Sequence, residues 1–102
     1  MKEIQELSDR IEDEIHDAKK YAKLAIKYKS ENPTLAKLYH TLSLEETRHM
    51  TMLHDAVTKM ITEYREQNGD PPPVMQARYD YLHAMHIKHA SKVHYLQTMF
   101  EN

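Results

Sequence analysis

The sequence predicts an all-α chain of three helices running up, down and up. Two observations predict it. Only one glycine and four prolines occur in 102 residues, and three of those prolines are consecutive, so long stretches carry no breaker. Those stretches also carry apolar side chains at alternating three- and four-residue steps, the period of a helix that buries one face.

The first helix is expected from about Lys2 to Ser30, with a seam of Ile4, Leu7, Ile11, Glu14, Ala18, Tyr21, Ala25 and Tyr28. It stops before Asn32-Pro33, which reads as a helix N-cap followed by proline at the first helical position. The second helix then runs from Pro33 to about Gln67 along Leu35, Tyr39, Leu42, Glu46, His49, Leu53, Ala56 and Met60. Asn68-Gly69-Asp70-Pro71-Pro72-Pro73 reads as a glycine stop, a short turn and a proline-led restart. The third helix is expected from about Pro73 to Phe100, with a seam of Tyr79, Leu82, His86, His89, Val93, Leu96 and Phe100. No repeat, low-complexity tract or linker divides the chain, so residues 1–102 read as one helical domain with short loops and a long antiparallel hairpin.

Composition excludes several function classes. A formal charge of −2 gives no electrostatic case for nucleic acid or an anionic membrane surface. Zero cysteines exclude disulfides, thiolate metal sites and cysteine nucleophiles. No apolar run approaches the roughly 20 residues of a membrane span, and no signal-peptide pattern opens the chain, so a cytoplasmic location is expected. A chain this short buries a limited core, which makes oligomerisation a reasonable expectation. The eight histidines are many for this length and, without cysteine, suit metal chemistry with oxygen and nitrogen ligands.

Ionisable residues interrupt two of the seams. Glu14 falls in the middle of the first, and Glu46 with His49 in the middle of the second. A carboxylate on a buried face is costly unless paired, protonated or metal-bound. The heights agree as well: at roughly 1.5 Å per residue all three lie about 25 Å from the first turn. The Glu-x-x-His spacing puts two ligands on one face, one turn apart, where they can grip the same ion. The competing reading is a structural ion-pair network, in which Glu14 pairs with His49 or a lysine and no metal is held. Glu45 and Arg48 sit beside the seam and are expected to be solvated.

One Glu plus one Glu-x-x-His is half of the inventory of a di-iron or di-manganese carboxylate centre in a four-helix bundle. In these residues the chain resembles the ferritin-like superfamily, particularly its rubrerythrin-type members and the short encapsulated ferritins. Glu14 followed by Ala18 and Tyr21 looks like the first-helix pattern, and Glu45-Glu46-Thr47-Arg48-His49 like the second. A full-length ferritin-like domain carries a second set further on, whereas the third helix here has no glutamate before Glu101. Either the site is shared across a two-fold homodimer or higher homo-oligomer, as the resemblance implies, with a four-helix core completed by dimerisation and two iron ions per dimer, or only one metal is held. The symmetric dimer is favoured because it supplies the missing half without new residues. Manganese or zinc could occupy the same ligands. Ferroxidase or peroxide-reactive oxidoreductase activity is implied by resemblance alone, and any storage role would need a larger assembly or a host compartment. The alternative class is a non-enzymatic helical assembly protein with an ion-paired or metal-stapled interface. A third is a small metal carrier or sensor using the histidines of the third helix.

Other residues carry two readings each. Tyr21 and Tyr39, about two turns from the carboxylates, either support the ligands by hydrogen bonding or fill the core. His86 and His89, with His54 near their level, either add a ligand or ion site, relay protons, or are core and interface histidines. His83 and His94 are expected to be exposed beside that face, His16 and Asp17 to project off the first seam, and His40 to lie on the surface. Met50, Met52 and Met60 read as packing.

Overall fold

Three helices form between the two breaks. In a computed structural model, which describes residues 2–102, α1 spans Lys2–Tyr28, α2 spans Pro33–Asn68 and α3 spans Pro73–Glu101. α1 ends two residues earlier than expected, where Lys29 N–H turns back to Ile26 O at 3.3 Å in a tighter turn, and Asn32 N–H donates to Tyr28 O at 2.9 Å. The Asn32 side chain then accepts from Leu35 N–H at 3.2 Å, capping α2. At the other end Gly69 takes φ 80°, a conformation open to glycine, and its N–H closes on Arg65 O at 3.0 Å.

α1 and α2 form the long hairpin, and α3 folds back beside it, parallel to α1 and antiparallel to α2. Contacts between positions 43 and 97, 54 and 83, and 58 and 79 mark that antiparallel register. The molecule measures 55 × 17 × 16 Å, so the 36-residue α2 sets its length. None of the helices is long and apolar enough to cross a membrane.

The core has two ends. Near the first turn Ala18, Ala22, Ala25 and Ala36 are buried, and their small side chains let α1 and α2 approach closely. Towards the second turn Ile4, Ile11, Ile15, Met50, Val57, Ile61 and Leu82 fill the space. Between them lies a buried polar node joining all three helices. Ser43 Oγ donates to Ala18 O at 2.8 Å, and Gln97 Nε2 donates to Ser43 Oγ at 2.9 Å and to Thr47 Oγ1 at 3.0 Å.

The observed stripes correct the expected seams. On α2 the fully buried positions are Ala36, Ser43, Met50, Val57 and Ile61. Four of the expected positions (Leu35, Leu42, Ala56 and Met60) precede these by one residue, about 100° around the helix, and are half-buried. On α1 the seam divides: Ile4, Ile11, Ala18 and Ala25 are buried, Leu7, Glu14, Tyr21 and Tyr28 are half-buried, and Ile15 and Ala22 join the core. The physical reason is width. A helix flanked by more than one neighbour carries an apolar stripe broader than a single seam, and spacing does not tell which edge a given neighbour covers. Here α3 covers the edge of α2 that carries His40, Thr47, His54 and Thr58. The opposite edge, with Leu42, Glu46, Leu53 and Met60, has no third helix over it.

Candidate metal centre

Glu14 on α1 and Glu46 and His49 on α2 meet on that uncovered edge. The short first turn sets the hairpin register, so residues equally distant from it lie side by side. One ligand atom from each lies within 4.8 Å of the other two. His49 Nδ1 is 3.7 Å from Glu14 Oε2 and 4.0 Å from Glu46 Oε2. The side chains of Glu14 and Glu46 are 24% and 19% exposed, and that of His49 is 45% exposed. The trio thus sits at the rim of the hairpin, half withdrawn from water.

These separations exceed hydrogen-bond length. Glu14 Oε2 is buried and has no hydrogen-bond partner. A buried carboxylate oxygen without a partner carries an uncompensated desolvation cost, which a cation between the three groups would offset. Two carboxylates and an imidazole form a hard-to-borderline donor set that suits iron, manganese or zinc. The residues therefore fit a divalent ion better than they fit a closed ion-pair network.

Neighbouring residues divide between expected and unexpected places. Glu45 and Arg48 are exposed, as expected, and also pair with each other at 3.0 Å. Tyr39 stacks between Tyr21 and Tyr28, with ring centroids 6.0 and 6.1 Å apart, and the three make a half-buried aromatic strip between the site and the first turn. His40 is not a surface residue: its side chain is 13% exposed, lies 3.2 Å from Glu101 and stacks on Phe100 at 4.4 Å. α3 covers it, and the only glutamate of α3 is thereby engaged away from the metal ligands.

The expected grouping of His54, His86 and His89 forms only in part. His89 faces α1, where it lines a groove with Glu12, His16 and Lys19. His83, exposed as expected, also meets His54, its Nδ1 3.2 Å from His54 Nε2. His54 also lies against His86, their ring centroids 4.4 Å apart. Burial, then neighbouring histidines, holds His54 and His86 below the ordinary histidine value, with Asp55 opposing. The i, i+3 spacing of His83 and His86 was a signal for this pairing, but only the rotation of α3 against α2 selects it over His86 and His89.

A family model described as rubrerythrin matches residues 6–99. No curated protein and no solved structure matches the chain.

Proposed function

Since the chain belongs to the rubrerythrin family, we propose that it is a metal-binding protein whose half-site of Glu14, Glu46 and His49 is completed by a second copy. The observation that carries this reading is the convergence of three ligand atoms within 4.8 Å on an edge that α3 leaves open. Each copy offers two carboxylates and one imidazole. Two copies docked face to face about a two-fold axis offer four and two, enough for a pair of ions. The half-buried Leu7, Leu42, Leu53 and Met60 and the tyrosine strip flank the ligands and supply apolar surface for that docking.

Iron is the ion we assign, on family membership and donor set together, with manganese and zinc as competitors for the same ligands. Bound iron would supply the redox couple that ferroxidase or peroxide chemistry requires. The chain's own part is to hold the ligands. Glu14 and Glu46 bring carboxylates to the rim, His49 brings an imidazole nitrogen, and the tyrosine strip covers the side towards the first turn.

The test is metal content per chain, together with sedimentation of the metal-free and ferrous-loaded protein. One iron per chain in a dimer is expected, with loss of iron in Glu46→Ala and His49→Ala. Oxygen consumption on ferrous addition separates an oxidase from a metal staple. A wild-type chain that folds and dimerises yet takes up no iron would overturn the assignment.

A further inference from the structure

We propose a second metal site, built only of imidazoles, in which His54 of α2 and His83 and His86 of α3 bind a divalent ion of the zinc type. It is separate from the carboxylate half-site. His54 lies five residues beyond His49, about 140° around α2, on the edge that α3 covers.

The spacing is that of neighbouring ligands. Two nitrogens each about 2.05 Å from a tetrahedral zinc stand about 3.3 Å apart. His54 Nε2 and His83 Nδ1 are 3.2 Å apart already. The third ring lies beside this pair, its centroid 4.4 Å from that of His54 with planes tilted by 57°, but its nitrogens stand outside ligand spacing and join the pair only after a side-chain turn. His86 Nδ1 is buried and has no hydrogen-bond partner, so no bond at that atom opposes turning the ring to bring a third nitrogen to the same point. His83 and His86 are one turn apart on α3 and face the same neighbour.

The plain alternative is a hydrogen bond between two neutral histidines. It accounts for His54 and His83, and leaves His86 Nδ1 buried and unsatisfied. A shared ion accounts for all three rings. Burial favours the uncharged imidazole at His54 and His86, which keeps lone pairs free for a metal. The location has a mechanical consequence as well. α2 and α3 are the pair of helices whose backbones approach least, and side chains such as these span the gap. An ion held there would fasten α3 to the hairpin.

The experiment uses zinc as the probe and removes the other site first. In the full chain carrying Glu46→Ala and His49→Ala, calorimetric titration with zinc is expected to give one ion per chain and a rise in Tm. Adding His83→Gln, a change at an exposed position, is expected to weaken zinc binding by at least about tenfold and abolish the rise in Tm. His86→Gln is expected to do the same, whereas His94→Gln, exposed elsewhere on α3, leaves binding unchanged. Failure of the Glu46→Ala, His49→Ala chain to bind zinc, or equal binding after His83→Gln and His86→Gln, overturns the proposal. Iron lost from the Glu46→Ala, His49→Ala chain reports on the carboxylate site, and zinc lost on adding His83→Gln or His86→Gln reports on the histidine site, so the two assignments fail separately.

Discussion

Glu46→Gln should stabilise the metal-free protein while removing its response to metal. Without an ion, Glu14 and Glu46 bring carboxylate oxygens within 4.8 Å of each other. Two like charges at that separation repel by roughly 3.5 kcal/mol at an effective dielectric of about 20, and by roughly 0.9 kcal/mol in water. The two side chains keep 24% and 19% of their surface while Glu14 Oε2 itself is buried, so the lower value is a floor. Relief of about 1 kcal/mol corresponds to a Tm rise of about 4–8 °C in a domain of this size. Glutamine keeps the shape and helix propensity of glutamate, and Glu46 makes no hydrogen bond within 3.5 Å that it would lose. With manganese at a hundred times its dissociation constant, the wild type should gain about 2.7 kcal/mol and the variant much less. The assay is thermal unfolding by circular dichroism at fixed protein concentration, with chelator and with metal. A variant that melts below the wild type in chelator, or that keeps the full metal-induced rise, refutes the reasoning.

Three further outcomes are expected. Gln97→Leu removes the donor shared by Ser43 Oγ and Thr47 Oγ1 at the node joining the three helices, and should cost about 1–3 kcal/mol in urea unfolding; an unchanged midpoint would mean the node contributes nothing. His54 and His86 have folded-state values lowered below the ordinary 6.5, so in metal-free protein the unfolded chain binds more protons once pH falls below 6.5. Stability is then intact above 6.5 and declines below it, with His83 reinforcing and Asp55 opposing; a His54→Gln, His86→Gln variant with the same slope of Tm against pH between 6.5 and 5 would contradict this. Leu42→Lys puts a charge on the edge assigned to the second copy and should shift the sedimenting species towards monomer, whereas Leu38→Lys, at a position already 53% exposed, should not.

Much of the arrangement follows from local signals. Breakers at Asn32-Pro33 and at Gly69 to Pro73 act within a few residues of themselves, so helix number and approximate bounds could be read directly. Glu14, Glu46 and His49 could be grouped because a short turn transmits register along an antiparallel hairpin at 1.5 Å per residue. Height along a helix is additive in sequence, and those three residues do converge. Direction around the helix is less legible. Spacing marked an apolar stripe on α2 but misjudged its centre by one residue, because the stripe faces α1, α3 and an open edge together. The burial of His40 under Phe100, the node at Ser43 and Gln97, and the choice of His83 over His89 as the neighbour of His54 all depend on where α3 settles. The sequence by itself determined three helices and the level at which Glu14, Glu46 and His49 meet. Only the tertiary structure decided that their edge of the hairpin stays open and that three histidines gather on the covered one, because the rotation of one packed helix against another is set by the whole interface.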